Sequence, residues 1–490
     1  MERVKVSMRF RVLILLAWLS FAPLALAQAV TQLVITHVTV IDATGAPPKP
    51  DMTLVVKGSR ISGLGKTGTI KVPKGAQVVE AKGKFLIPGL WDMHVHIFNQ
   101  VSRRPPNTWH FPLFVANGVT SIREMWTKPE DMEQVREWRR SQAIGSLLAP
   151  QIAAVGTLVD GPAGAETTQI GGALPGPTAN IVRTPDEAGD FVRALKAAGI
   201  DFVKTYSSLS RETYFAIADE AKKQGLPFAG HVPFLVDAAE ASSAGQRSME
   251  HLNQILESSS SRSQELFQVP GRDWSSKHEM LMLDSFSEER FRKLVDVLAK
   301  NQSWQVPTLV IARVYAFPRD LRITRNEDRM RYIPANEIAN WKKLFPERVQ
   351  EPIDTEKVVR VRLWQKQLEV VRRMNEAGIP FMAGTDLGTA YTYPGFSLHD
   401  ELALLVEAGL TPMQALQTAT RNPAHFLGLQ DSLGTVEEGR TADLIILDAN
   451  PLEDIRNTQK IAAVIINGRF LDRVELDKLL TQAEADAKKN

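Results

Sequence analysis

The chain has 490 residues, 44% hydrophobic and 23% charged, and this ordinary globular balance excludes whole-chain disorder, a coiled coil and a collagen-like repeat. Lys and Arg number 58 against 56 Asp and Glu, so the net charge of +2 gives no electrostatic reason to expect nucleic acid or an anionic membrane as a partner. Because there is no cysteine, disulfides and thiol catalysis are excluded, and any metal must be held by nitrogen and oxygen atoms.

The first 27 residues have the parts of a secretory signal peptide. Basic side chains at positions 3, 5, 9 and 11 precede an apolar run from Val12 to Ala22, and a small-x-small cleavage site, Ala25-Leu26-Ala27, follows. The apolar run is short for a membrane span of about 20 residues and Pro23 interrupts it, which favours cleavage over an uncleaved anchor helix. We therefore expect a mature protein that begins at Gln28, without membrane attachment, in the periplasm or outside the cell.

Both ends of the mature chain are rich in β-forming residues. Lys57-Gly58 and Asn467-Gly468 are turn signals beside apolar runs. The runs with strand character are 33–35, 38–41, 54–56, 442–447 and 463–466. A long middle region of different texture separates the two sets, so we predict that both ends form one small β domain.

The middle of the chain alternates helix and strand. A glycine just past a helix end adopts the left-handed conformation without strain, and a short apolar run follows several such glycines. These glycines are Gly118, Gly199, Gly225, Gly245 and Gly378. The repetition predicts βα units around a parallel sheet, and the size favours an eight-stranded barrel. Residues 160–180, with eight Gly or Pro, are interpreted as a surface loop or a lid, and the serine run 258–261 as a surface loop.

The strongest chemical signal is His94-Val95-His96. Residues two apart in a strand share a face, so both imidazoles can bind one metal ion. Four further polar residues are predicted at or near the ends of apolar strands: Lys204, His231, His251 and Asp386. In a βα barrel the carboxyl ends of the strands form the face that carries active sites. Buried there, these side chains are costly unless they satisfy one another or a metal.

Three more residues are candidates for substrate contact. Tyr206 lies two positions beyond Lys204 and Asn253 two beyond His251, so each shares a face with a metal-ligand candidate. The alternative for both is packing at the mouth of the barrel. Arg123 follows the strand 119–122 and is interpreted either as the partner of a substrate carboxylate or as half of a structural ion pair.

Several motifs resemble those of the metal-dependent amidohydrolase superfamily. The segment 86–96 resembles the opening motif, and Ala383-Gly384-Thr385-Asp386 resembles the aspartate motif of the last strand. Residues 411–416, 422–424 and 434–444 are similar to the helices and the return strand that follow. Within the superfamily, the likeness is greatest to the imidazolonepropionase-like and prolidase-like (Xaa-Pro dipeptidase-like) branch, on the segments 201–204, 230–233 and 248–251.

The predicted fold is an α/β protein, a (β/α)8 TIM barrel with a small β-sandwich domain built from both chain ends. The predicted parts are a signal peptide (1–27), the first part of the sandwich (28–88), the hydrolase barrel (89–432), the second part of the sandwich (433–475) and a C-terminal tail (476–490).

The resemblance also implies the roles of the site residues. Two divalent metal ions are expected, with zinc favoured: His94, His96 and Asp386 hold the more buried ion, and His231 and His251 hold the second. Lys204, carbamylated on its amine, bridges the two. A water between the ions loses its proton near neutral pH, and Asp386 carries a proton from the attacking hydroxide to the leaving amine.

The implied activity is hydrolysis of an amide-type C–N bond in a dipeptide or an N-acyl amino acid. The alternative is hydrolysis of a cyclic amide, a lactone or an aryl ester at the same site, and a metal-holding binding protein without turnover is a third reading. The segment Thr205-Tyr206-Ser207 departs from the one usual in prolidase-like relatives, which leaves the substrate open. The expected partner is a small-molecule substrate, not nucleic acid or a membrane; the metal and the oligomeric state, including a homo-oligomer, stay open.

Overall fold

The computed structural model describes residues 32–98, 108–162, 180–267, 276–317, 327–344 and 354–489. The predicted signal peptide and most of the 160–180 segment, with its interpretation as a lid, lie outside these residues. Within the described ranges, no helix has both the length and the apolar character needed to cross a membrane.

One sheet joins strands from both ends of the chain. Its strands are β1 (Gln32–Val40), β2 (Lys49–Lys57), β3 (Arg60–Lys66), β4 (Gln77–Glu80), β5 (Phe85–Pro88), β14 (Leu444–Leu447), β15 (Ile461–Ile466) and β16 (Arg469–Asp472). They lie in the order β16-β15-β14-β5-β1-β2-β3, with β4 paired to β1. Antiparallel pairing of β14 with β5 places Ile445 opposite Ile87. Alternate side chains of these strands form a buried apolar cluster, which confirms a small β domain built from both chain ends.

The second sheet is a parallel barrel. Its strands are β6 (Leu90–Val95), β7 (Val119–Glu124), β8 (Gln151–Asp160), β9 (Asn180–Ile181), β10 (Phe202–Thr205), β11 (Phe228–Gly230), β12 (Ser248–Glu250) and β13 (Trp304–Val306). Their order is β6-β7-β8-β10-β11-β12-β13, with β9 paired to β8. Residues 380–387 close the ring, because Met382 N donates to Gln305 O and Met93 N donates to Ala383 O, both over 2.9 Å. The predicted TIM-like barrel is confirmed.

Helices surround the barrel and begin and end as the sequence indicates. Thr184 accepts a hydrogen bond from Glu187 N at the start of one helix, and Gly199 ends it with a φ of 80°. The helices described are α1 (Phe111–Ala116), α2 (Met132–Ala143), α3 (Pro185–Ala198), α4 (Arg211–Gln224), α5 (Ala238–Ser243), α6 (Ile255–Ser259), α7 (Ser263–Leu266), α8 (Ser276–Asp284), α9 (Glu288–Lys300), α10 (Leu309–Ala316), α11 (Glu327–Met330), α12 (Ala335–Leu344), α13 (Asp354–Glu376), α14 (Phe396–Glu407), α15 (Pro412–Thr418), α16 (Arg421–Phe426) and α17 (Arg473–Ala487).

The serine run 258–261 corrects a prediction. Ser258, Ser259 and Ser260 are buried, and the first two belong to α6 rather than to a surface loop. Ser258 Oγ accepts from Ala238 N over 2.9 Å, and Ser259 Oγ donates to Ile255 O over 2.6 Å. A small hydroxyl that is hydrogen-bonded in this way can be buried at little cost, so composition alone misplaced the segment.

Candidate active site

The six predicted metal ligands meet at the carboxyl ends of the barrel strands. His94 belongs to β6 and Lys204 to β10, and His96 follows β6 by one residue. His231 and His251 come directly after β11 and β12, and Asp386 lies in the closing segment 380–387. All six side chains are buried except that of His251, which is half-buried. The strand-end positions read from the sequence therefore correspond to one place in the fold.

Asp386 lies at the centre of this group. Its Oδ1 is 3.0 Å from His96 Nε2 and 3.3 Å from His94 Nε2. Lys204 Nζ lies 3.3 Å from the same His94 nitrogen. Burial alone would raise the pKa of Asp386, but the neighbouring His251 and His96 hold that pKa below its ordinary value. Asp386 is therefore a carboxylate at neutral pH.

His251 and His231 complete the group on the other side. The His251 ring centroid lies 4.6 Å from that of His94 and 4.8 Å from that of His231. One ligand atom each from His94, His251 and Asp386 fall within 4.8 Å of one another. Nitrogen and oxygen donors gathered this closely, in a chain without cysteine, are a donor set that fits a divalent metal ion.

Three of the histidines are oriented through their Nδ1 atoms. In a metal-binding histidine, a hydrogen bond at one ring nitrogen fixes the ring and leaves the other nitrogen as the ligand atom. The Nδ1 partners are Glu250 Oε2 for His94 at 2.8 Å, Thr308 Oγ1 for His251 at 2.7 Å and Ser207 Oγ for His231 at 2.7 Å. In this pattern Nε2 is the nitrogen of each ring that would bind a metal ion.

Burial shapes the charge of the site. It lowers the pKa of Lys204 to about 8, although the charges of Glu250 and Asp386 act in the opposite direction. It also lowers the pKa of His251 to about 4. His251 is therefore neutral near pH 7, whereas Lys204 is still mostly protonated there but loses its proton at a lower pH than it would in water.

Two glycines make room for the ligands. A Cβ on Gly384 would lie 2.8 Å from His94 Cβ and 2.7 Å from Val306 Cγ1. A Cβ on Gly230, whose φ is +127°, would lie 2.7 Å from Lys204 Cδ. The glycines of the two segments that carry Asp386 and His231 are therefore required by close approach to neighbouring ligands.

Three residues of the site have a strained backbone. His251, Thr308 and Asp386 have φ values of 60°, 47° and 56°, in the left-handed region that non-glycine residues rarely adopt. Such conformations cost of order 1 kcal/mol each and cluster at functional sites. Two of the three residues are ligand candidates, and the third, Thr308, is the hydrogen-bond partner of His251.

The predicted substrate-contact residues have different surroundings. Tyr206 is half-buried, and its ring centroid lies 4.2 Å from that of His231 and 6.3 Å from that of Trp126. Asn253, also half-buried, lies in the turn after His251. Both therefore stay candidates for lining the mouth of the site.

Arg123 does not face the mouth. It is fully buried, and its Nη2 contacts both carboxylate oxygens of Glu250 at 3.0 and 3.1 Å. Its Nη1 donates to Ser248 Oγ over 3.0 Å and its Nε to Met93 O over 2.6 Å. Because the guanidinium donates to these buried groups, the contacts support the interpretation of Arg123 as half of a structural ion pair. They do not support its pairing with a substrate carboxylate.

Sequence reasoning missed two buried carboxylates at the site. Glu250 contacts His94 and Arg123, and Asp92 accepts hydrogen bonds from Thr385 Oγ1 at 2.6 Å and from His94 N at 3.2 Å. Burial raises the pKa of Asp92 to about 7. The alternation Asp92, His94, His96 already placed Asp92 on the ligand face, so a signal for it was present. Glu250 directly precedes His251 and carried no such signal.

Comparisons of the sequence with protein families and with curated proteins agree on one family. A model of the Amidohydrolase family matches residues 85–471. Ochratoxinase from Aspergillus niger is 42% identical over 91 residues, and imidazolonepropionase from Deinococcus deserti is 41% identical over 88 residues. Each match covers 18% of this chain, and 18% and 22% of those relatives, so the chain aligns with about a fifth of their length.

Solved structures extend the likeness to the whole fold. A crystal structure of a Xaa-Pro dipeptidase with methionine bound in its active site superposes with a TM-score of 0.64. It is 21% identical, and the superposition covers 90% of this chain and 100% of that one.

Proposed function

The chain belongs to the amidohydrolase family, and on that premise we propose that it is a metal-dependent hydrolase of amide-type C–N bonds. The observation that carries the proposal is the convergence of His94, His251 and Asp386, with ligand atoms within 4.8 Å of one another. A divalent ion bound there supplies Lewis acidity, which polarises a carbonyl and lowers the pKa of water.

Two ions, with zinc favoured, are proposed for the site. His94, His96 and Asp386 are assigned to one ion, and His231 and His251 to the other. Lys204 is proposed to be carbamylated and to bridge them. The support for this role is chemical: an ammonium buried 3.3 Å from His94 Nε2 repels a cation, whereas a carbamate offers two anionic oxygens.

Asp386 is the proposed proton carrier. Its carboxylate is ionised at neutral pH and lies 3.0 Å from His96 Nε2, inside the ligand group. From this position it can take a proton from the attacking water and deliver it to the nitrogen of the leaving amine. Hydrolysis then yields a carboxylic acid and a free amine.

A dipeptide or an N-acyl amino acid is the proposed substrate. The dipeptidase of similar fold holds methionine in its active site, which supports a substrate built from amino acids. Tyr206 beside His231, and Asn253 beyond His251, are assigned to contact with the substrate. We also propose that the protein acts outside the cytoplasm, after cleavage before Gln28.

The test is a substrate screen with the zinc-loaded protein and a matched Asp386→Asn variant. Xaa-Pro dipeptides, N-acyl amino acids, and a set of lactones and aryl esters are compared by kcat/KM. The proposal expects turnover of the first or second group by the wild type and loss of nearly all of it in Asp386→Asn. Turnover of lactones or aryl esters alone would show that the substrate is an ester and not an amide. Equal rates for the wild type and Asp386→Asn would show that Asp386 is not the proton carrier.

A further inference from the structure

A buried hydrogen-bonded chain runs beneath the ligand group, from Arg123 through Glu250 to His94. All three side chains are fully buried in the barrel. Glu250 Oε2 lies 2.8 Å from His94 Nδ1, and Arg123 Nη2 lies 3.0 Å from Glu250 Oε1 and 3.1 Å from Glu250 Oε2. One carboxylate thus joins a guanidinium to a ligand candidate.

The ion pair is held in one geometry. Ser248 Oγ donates to Glu250 Oε1 over 2.5 Å and accepts from Arg123 Nη1 over 3.0 Å. The guanidinium carbon lies 5.7 Å from the ring centroid of Phe202 and 5.3 Å from that of Phe426. A buried carboxylate without such a partner would be strongly destabilising, so Arg123 and Glu250 form one unit in the barrel interior.

The contact with Glu250 determines which ring nitrogen of His94 carries the proton. A carboxylate can only accept a hydrogen bond, so it keeps the His94 proton on Nδ1 and leaves the Nε2 lone pair for the metal. His231 and His251 meet hydroxyl groups at the same ring position, whereas His94 meets an anion. An anion at Nδ1 makes the imidazole a stronger ligand.

We propose that Glu250, held by Arg123, is a positioning residue that fixes the tautomer and orientation of His94 and so sets the metal affinity of the site. This inference rests on the proposed metal site and goes beyond it. Packing alone does not account for the arrangement, because apolar side chains of similar volume fill a barrel interior at least as well as a buried ion pair does.

Metal affinity and thermal stability are measured together in Glu250→Gln and in the double variant Glu250→Gln/Arg123→Met. Glu250→Gln should lower the zinc affinity of the protein about 10- to 100-fold and lower Tm, because Arg123 is left as an unpaired buried cation. The double variant removes that cation. Its Tm should recover toward the wild-type value, while its zinc affinity should stay low.

Asp443→Asn is the matched control. Asp443 is also a buried carboxylate, but it lies in the β domain and accepts from Asn467 N over 2.5 Å. This variant should keep the wild-type zinc affinity whatever its Tm. Zinc affinity is measured by competition with chelators of increasing zinc affinity. Tm is measured on the metal-free protein, so neither measurement depends on catalysis.

Recovery of both Tm and zinc affinity in the double variant would overturn the positioning role, as would unchanged affinity in Glu250→Gln. If neither variant folds, nitrogen-15 spectra of histidine in the metal-free wild type decide: His94 protonated on Nδ1 supports the inference, and protonation on Nε2 overturns it. A wild type that binds no metal would instead refute the proposed function, so the two failures can be told apart.

Discussion

Replacement of Gly384 by alanine should damage the site through a single methyl group. The added Cβ would lie 2.7 Å from Val306 Cγ1, 2.8 Å from His94 Cβ and 3.0 Å from the backbone nitrogen of His94. Ordinary carbon contacts are about 3.5–4.0 Å, so the neighbouring carbon atoms must move by about 0.7–1.3 Å. Overpacking of this kind costs about 1–3 kcal/mol of the free energy of unfolding.

The displaced residue, His94, is a ligand candidate, so Gly384→Ala should impair metal binding and catalysis as well as stability. A misplacement of about 1 Å can lower an enzymatic rate about 100-fold, and we expect a loss of that order in kcat/KM for Gly384→Ala, with weaker zinc binding. The matched control is Gly63→Ala in β3, where the nearest atom to the new Cβ is Val55 Cβ at 3.8 Å. Gly63→Ala should behave like the wild type.

Urea unfolding, zinc titration and steady-state kinetics are compared for both variants. If Gly384→Ala unfolds at the wild-type urea concentration and binds zinc with unchanged affinity, the close packing of the segment 380–387 against His94 does not position the ligand, and the reasoning is refuted.

Three further predictions concern the bridge, the pH dependence of stability and the mature chain. Lys204→Ala should lower the metal content from about two ions per chain toward one and remove most of the activity, with partial rescue by small carboxylates; two retained ions with near-full turnover would exclude the carbamate. Burial raises the pKa of Asp443 to about 6, so ionising it costs stability as pH rises from about 4 to 6. The Tm of Asp443→Asn relative to wild type should therefore increase across that range and then level off, and a constant difference would contradict this. N-terminal sequencing of the mature protein should find Gln28, and a mature chain that starts at residue 1 would disprove cleavage.

The fold could be predicted because its signals are local. Glycines such as Gly199 and Gly225 end α3 and α4 with positive φ, and apolar strands follow them, as the sequence indicated. The likeness to the imidazolonepropionase-like and prolidase-like amidohydrolases is confirmed by the family match and the similar structures. Closure of the barrel by 380–387 depends on hydrogen bonds to β6 and β13, which no local pattern encodes.

Those parts of the candidate site could be predicted in which a single polar residue at the end of a strand identifies the position. His231, His251 and Asp386 were found by their position after apolar strands. The partner of Arg123 could not be found, because it depends on the registers of β7 and β12, which bring a guanidinium and Glu250 to the same depth inside the barrel. In the same way, only packing shows that the Ser258 hydroxyl is hydrogen-bonded inside the fold.

The most direct test of the central claim is metal removal and replacement in the wild-type protein. Bound metal per chain is measured by elemental analysis, the protein is stripped with a chelator, and hydrolysis of the best amide substrate is followed as zinc is added back. The account predicts about two ions per chain, no hydrolysis after stripping, and activity that returns as the ions bind. Full-rate hydrolysis by metal-free protein, or a folded protein that binds no divalent ion, would contradict it.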